Sequence, residues 1–359
     1  MTRTIGRIAK LMGLGVLALL VVAIAAGLGY RAYRQAAIVR ATAIDPVKGI
    51  DEELFTRIGG IDQWIGIRGQ RRENPVLLIV HGGPGFAMSF LSHAMLHQWT
   101  RDFTVVMWDQ RGAGKTYGRS GPLGAGVTID RMVQDGVEVA EFLRTKMQKP
   151  KIVLVGLSWG SMLGVRMARA RPDLFYAYVG TGQSVNQYKY KRIAYEQVLA
   201  EARRRNNAQA IRELEAVGPP PYDSGSKEGV HTKWATRFEP GQMSMMAGIS
   251  LVLFESPAGP LDLRDFIRGL LGSDEFFRDQ QRSVDLPSLG TDFAMPLFVF
   301  QGAEDNVTPV APVREYIDRI RAPHKELVLI PNAGHNAMAT RSDEFLKLLL
   351  DRVKPLTGD

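Results

Sequence analysis

A chain of 359 residues is long enough for one large α/β domain with an insertion, or for two domains, and its 45% hydrophobic and 23% charged content is ordinary for a globular protein. The absence of cysteine excludes disulfides, thiol catalysis and cysteine-based metal sites. The net charge of +8 raises nucleic acid as a partner, but the basic residues are spread out apart from the N-terminus and Arg203 to Arg205. We read that second cluster as a solvated helix face and expect no nucleic-acid partner.

Leu11 to Tyr30 carries no charge and is rich in Leu, Val, Ala and Gly, roughly the length that spans a bilayer as a helix. Arg3, Arg7 and Lys10 precede it and Arg31, Arg34 and Arg40 follow it, so the flanking charge sets no orientation. Ala23-Ile24-Ala25 resembles a signal-peptide cleavage site, and cleavage there would give a secreted or periplasmic protein. Apolar character continues past that site. We therefore expect an uncleaved anchor over residues 1–30 and a linker over 31–51.

Leu54 to Gly59 and Ile61 to Ile67 read as an opening hairpin turned by Gly59-Gly60. Pro75 to Val80 is a fully apolar run, hence a buried strand, and it ends in His81-Gly-Gly-Pro-Gly85. A helix-like stretch from Met88 to Trp99 leads to the strand Phe103 to Trp108, which ends in Asp109-Gln-Arg-Gly112. Gly114-Lys-Thr116 suggests a phosphate loop, but a Walker A motif needs glycine where Asp109 stands, so that reading fails. Val127 to Lys146 has helical spacing with Thr128 as a cap.

Next comes Lys151 to Met167. Ile152 to Val155 form a β-branched and aliphatic strand, Gly156-Leu-Ser158-Trp-Gly160 follows at once, and Met162, Leu163, Val165 and Met167 suit a helix packed on a sheet. Strand, G-x-S-x-G, helix is the order of a nucleophile elbow, in which the serine sits on a tight turn with its hydroxyl out of the sheet. Tyr176 to Val179 adds a short strand. Residues 184–290 then lack βα alternation and read as a mostly helical cap between two parts of an α/β core, 52–183 and 291–359. In the second part, the strand Pro296 to Phe300, a helix from Val313 to Ile320 and the strand Glu326 to Ile330 restore the alternation. Asp343 to Val353 closes the chain as a helix.

A nucleophilic serine needs a base, and the base an orienting acid. His335 alone among the six histidines lies directly beyond a strand after the elbow. His93 and His97 fall in the helix-like stretch, His231 in the cap, and His324 before the last strand, on the wrong edge of the sheet. The acid is Asp305, with its neighbour Glu304 as the alternative. Two amide donors should meet a developing oxyanion, Trp159 N–H after the nucleophile and Gly83 N–H in the loop after His81, since Pro84 has none.

Together, His81-Gly-Gly-Pro-Gly85, Asp109-Gln-Arg-Gly112 with Gly114, and Gly156-Leu-Ser-Trp-Gly-Ser161 resemble the prolyl iminopeptidases of the α/β-hydrolase superfamily. The resemblance runs from about Leu54 to Val353. It implies a mostly parallel doubly wound sheet with a helical cap and a Ser158, Asp305, His335 triad. It also implies removal of an N-terminal residue, often proline, from short peptides, with no metal or organic cofactor. Asp109 and Arg111 are expected to brace their loop. The family holds the substrate's free amine with cap glutamates set among aromatic residues. The candidates here are Glu196 beside Tyr195 and Glu239 after Trp234 and Phe238, although neither is a clean counterpart. Carboxylesterase or amidase activity is the alternative, and a non-catalytic binding protein is the reading from another class. Dehalogenases and epoxide hydrolases would need an acidic nucleophile where Ser158 stands, so both are disfavoured. The expected partners are a small molecule or short peptide and a membrane.

Overall fold

The computed structural model describes residues 2–89, 96–241, 250, 254 and 259–358. Helix α1 runs unbroken from Thr2 to Ala41, so the first part of the expected linker is helical. From Lys10 to Ala41 it is long and apolar enough to cross a membrane, and it is not buried against the fold. A signal sequence answers the same description.

Eight strands form one sheet: β1 (Ile50–Ile58), β2 (Ile61–Gly69), β3 (Val76–Val80), β4 (Thr104–Trp108), β5 (Ile152–Leu157), β6 (Phe175–Thr181), β7 (Leu297–Gly302) and β8 (Lys325–Ile330). Their spatial order is β1-β2-β4-β3-β5-β6-β7-β8. The hairpin β1–β2 is antiparallel and joins β4 in antiparallel register, while β4 through β8 are parallel. A parallel strand is covered on both faces, which is why β3 reads Val-Leu-Leu-Ile-Val without a polar residue. Its alternate side chains enter two cores, Val76, Leu78 and Val80 on one face and Leu77 and Ile79 on the other.

Helix α2 (Gly114–Ser120) follows β4, and the first core is closed by α3 (Ile129–Lys146) and α4 (Trp159–Ala170), with Tyr190, Phe277, Val313, Tyr316 and Ile317 added from later helices. Thr128 caps α3 by accepting from the Arg131 N–H, as expected. The opposite core holds Trp99 stacked on Phe345, with Leu349 and Val353 beyond. Half of the helix expected over Met88 to Trp99 lies outside the described residues, and its end is a short 3-10 turn, His97–Arg101.

Between β6 and β7 lie α5 (Gln187–Arg204), α6 (Ala208–Val217), α7 (Gly225–Phe238) and α8 (Pro260–Arg282). Helices α5 to α7 have their own core of Tyr195, Val198, Leu214, Trp234 and Phe238. They therefore form a unit over the carboxyl edge of the sheet. Arg203 to Arg205 are surface residues paired with Glu215 and Glu201, a solvated face as read from the sequence. Helix α8 returns onto the core, where Ser273 Oγ donates to the Gly112 carbonyl at 3.1 Å and Phe277 packs on Trp159 at 5.0 Å. The last two helices are α9 (Val310–Arg319) and α11 (Ser342–Leu348), the latter preceded by the single turn α10 (Ala337–Thr340) and followed by a π-type turn, Leu349–Val353.

The turn from β5 into α4 demands two residues without side chains. A Cβ on Gly156 would lie 2.6 Å from the Gly160 carbonyl oxygen, and one on Gly160 would lie 2.5 Å from that of His81 and closer still to Val80. Backbone stands on every side, so nothing can yield. Gly160→Ala is expected to cost about 3 kcal/mol or more, the upper end of overpacking penalties. A chemical-denaturation midpoint within error of wild type would contradict this account of the turn.

Candidate functional site

Ser158 takes φ 53° and ψ −117°, a left-handed conformation rare for a residue with a side chain. The surrounding bonds hold it there. Its own N–H donates to the Thr181 carbonyl at 3.0 Å, and Ser161 N–H and Oγ both donate to its carbonyl, at 2.9 and 2.6 Å. The hydroxyl consequently leaves the sheet at the carboxyl end of β5, against the N-terminus of α4.

Loops after β7 and β8 bring the other two predicted residues to it. Ser158 Oγ is 2.9 Å from His335 Nε2, and His335 Nδ1 is 3.0 and 3.2 Å from the two carboxylate oxygens of Asp305. With Nδ1 protonated and donating to Asp305, Nε2 is free to accept the serine proton. Asp305 is 3% exposed, and its neighbours supply the remaining donors. Oδ1 accepts from the N–H groups of Val307 and Thr308 at 2.9 and 2.7 Å, and Oδ2 accepts from Thr308 Oγ1 and Gln301 Nε2 at 2.7 and 2.6 Å. Six hydrogen bonds thus fix the carboxylate against the imidazole. Glu304 is exposed and, like Asp305, borders a surface groove of about 920 Å³ that Ser158 and His335 do not line.

Burial of His335 by itself would lower its pKa. The charge and hydrogen bond of Asp305, with the charge of Glu239 added, outweigh that and leave it raised above 6.5.

Gly83 and Trp159 both line the cavity in front of Ser158. Trp159 is the first residue of α4, so its N–H has no carbonyl one turn earlier to meet. Gly83 has φ +114°, and a Cβ there would strike the amides of Gly85 and Phe86 at 2.6 and 2.7 Å. Gln110 locks the two loops together: its Nε2 donates to the His81 carbonyl at 2.9 Å, and its Oε1 accepts from Trp159 Nε1 at 3.0 Å. Behind it, buried Asp109 accepts from Ser89 and from the Lys115 N–H, and burial raises its pKa to about 6 despite those bonds. Arg111 donates to Asp135 and to the Gly59 carbonyl. Both residues brace their loop, as anticipated.

The cavity is small, about 200 Å³. Its cap-side wall includes Lys191 of α5, Glu228 and His231 of α7 and Asp274 of α8. Neither of the glutamates singled out in the sequence belongs to that wall. Glu196 is exposed on α5 and paired with Arg192. Glu239, just after α7, is buried behind the triad, where Oε1 accepts from the Asn306 N–H at 2.8 Å and Oε2 from the His335 N–H at 3.0 Å. Glu228, His231, Thr232 and Ala235 recur at helical spacing on one stripe of α7, a signal that could have pointed to the wall. Lys191 and Asp274 carry no such signal. Among the described residues, no three His, Asp or Glu side chains converge as a metal site.

A model of the Alpha/beta hydrolase family matches residues 77–348. The chain belongs to that family and is a hydrolase. Within the family it resembles prolyl iminopeptidases, and its relatives bear related names. It is 27% identical over 285 residues to the probable aminopeptidase YbaC of Bacillus subtilis, spanning 77% of this chain and 88% of that one. It is 25% identical over 297 residues to a probable proline iminopeptidase of Streptomyces coelicolor, spanning 77% and 86%. Among solved structures, a bacterial membrane phospholipase A aligns over 100% of both chains with a TM-score of 0.61 at 16% identity, a likeness of fold.

The raised pKa of His335 fixes the sign of a pH dependence. An imidazole accepts the serine proton only when neutral, so activity should fall as pH drops through a value above 6.5. An acid limb of kcat/KM centred below 6 would contradict the geometry described for Asp305.

Proposed function

We propose that this chain is a membrane-anchored serine hydrolase that removes the N-terminal residue of short peptides, as a prolyl iminopeptidase does. The observation that carries the reading is the continuous relay from Asp305 through His335 to Ser158 at the floor of a small cavity. Ser158 Oγ attacks the scissile carbonyl while His335 Nε2 takes its proton. The tetrahedral oxyanion meets the Trp159 and Gly83 amides. His335 then protonates the leaving amine, and water, deprotonated by the same imidazole, releases the acyl group from Ser158. Asp305 keeps the imidazole in the Nδ1–H tautomer throughout.

The peptidase choice draws on the names of the relatives and on the carboxylates of Glu228 and Asp274 in the cavity wall, which suit a substrate ammonium. One observation favours the second reading, a carboxylesterase or amidase. Glu228 is already paired with Lys191, and Asp274 with Arg278 at 3.3 Å. Proline arylamide with a free amine, its N-acetylated form and a short-chain aryl ester separate the two. We expect the free-amine arylamide to be cleaved and acetylation to reduce kcat/KM at least 10-fold, with Ser158→Ala lowering turnover by several orders of magnitude. Indifference to acetylation, or cleavage of the ester alone, would leave the esterase reading. Full activity of Ser158→Ala would remove both.

The anchor rests on the length and exposure of the apolar part of α1. The full-length chain should remain in the membrane pellet after alkaline carbonate. Release of a shortened chain would show that the segment is a cleaved signal.

A further inference from the structure

We propose that Glu239 is a positioning residue of the active site, a carboxylate from the cap end that clamps the acid loop to the histidine loop and so makes assembly of the triad depend on how the cap is seated. This rests on the serine-hydrolase reading above. Glu239 lies at the C-terminal end of α7, where the helix has stopped and the backbone is extended. Its two oxygens reach two different loops. One takes the N–H of Asn306, next to Asp305, and the other takes the N–H of His335 itself. These loops follow different strands, β7 and β8. A single planar carboxylate therefore spans the two segments whose spacing sets the Asp305–His335 hydrogen bond.

The surroundings show that the site is built for this group. Glu239 is 5% exposed, and Gly334 leaves the room for it. A Cβ on Gly334 would lie 2.5 Å from the carboxyl carbon and 2.6 Å from Glu239 Cβ. The same joint is tied from neighbouring residues. Asn306 Nδ2 donates to the Ala235 carbonyl at 3.4 Å, and Arg205, just after α5, donates to the Phe238 carbonyl at 2.9 Å. A residue that contacted only substrate would need neither backbone bond, and Glu239 does not line the cavity.

The charge has a second effect. Among the described residues, Asp305 and His335 act on Glu239 by charge, and Arg205 is bonded to the adjacent carbonyl. Burial, and then the negative charge of Asp305, raise its pKa to about 7, against the pull of His335 and the two backbone bonds. In turn its charge helps raise that of His335. Ionised, it accepts both N–H bonds and favours the imidazolium formed when Ser158 gives up its proton. Protonated, one of its oxygens carries a hydrogen and no longer suits an N–H donor, so the clamp holds one loop fewer.

Glu239→Gln tests this in the detergent-solubilised full chain. The amide keeps shape and volume but sets an NH2 group against one of the two backbone donors. We expect kcat to fall about 10- to 100-fold, the scale of a misplaced reacting group. The loss should be alike for the free-amine arylamide and for 4-nitrophenyl acetate, with little change in KM. The acid limb should move to lower pH, because a negative charge that raises the His335 pKa is gone. The rate of fluorophosphonate labelling at Ser158 should fall by a similar factor, and Gly334→Ala, which displaces the carboxylate without changing its charge, should reproduce the loss. Near-ultraviolet circular dichroism refers these rates to folded protein. Wild-type labelling and an unchanged acid limb in Glu239→Gln would overturn the clamp while leaving the hydrolase reading intact. So would a loss confined to KM for the free-amine substrate, which would make Glu239 an ammonium ligand. A folded wild-type chain that fluorophosphonate does not label would remove both.

Discussion

The approach of α4 to β3 at Gly160 is the constraint on which the site depends. Only a residue without a Cβ fits between the carbonyls of Val80 and His81, and that contact sets the helix start directly against the neighbouring strand. With β5 and α4 so close, the chain between them has one residue in which to reverse, and Ser158 absorbs the reversal at φ 53°. Backbone strain of this kind costs on the order of 1–3 kcal/mol and persists where neighbours over-determine it. Here the bonds to Thr181 and Ser161 and the packing of Met162, Leu163 and Val165 in the sheet core do so. The return is a serine whose place at the carboxyl end of β5 is fixed by its backbone bonds.

Around that fixed point the protein buries carboxylates, and each is handled differently. Asp305 is surrounded by donors and keeps its place beside the imidazole. Asp109, with donors from Ser89 and Lys115, is nonetheless shifted upward by burial to about 6. Glu239 goes further, to about 7, because Asp305 adds repulsion to desolvation. A carboxylate taken from water without partners would be expelled or neutralised. All three survive inside because their oxygens meet backbone or hydroxyl donors, and all three join loops that leave different strands or helices. In these three the buried carboxylate sits where separate segments meet.

The sheet strands and the motif loops were legible in the sequence because they obey local rules. Apolar runs of five or six residues ending in glycine-rich turns are strands of a parallel sheet, and the βα alternation after residue 291 gave Asp305 and His335 their places. The reading stopped short at the edges of elements. The helix α1 was expected to end near Tyr30 but continues to Ala41, since Ala36, Ala37 and Ala41 support a helix as well as a linker. The cap was legible as helical and no more than that. Its residues face the cavity from three helices whose relative placement no periodicity encodes, so Lys191 and Asp274 were invisible. Glu239 was noticed for its chemistry and assigned to the wrong side of the triad, because a sequence shows a carboxylate near aromatics and not which backbone amides will surround it.

That misplacement has a physical lesson about caps. A helical insertion with its own core could be an independent lid, free to rock over the sheet. In this chain the end of α7 is instead bonded to the two loops that carry Asp305 and His335, while α8 is bonded through Ser273 to the Asp109 loop. Movement of α7 would therefore strain the Asp305–His335 pair before it widened the cavity. The bonds that keep the Asp305 and His335 loops in register thus also hold the end of α7 to the sheet.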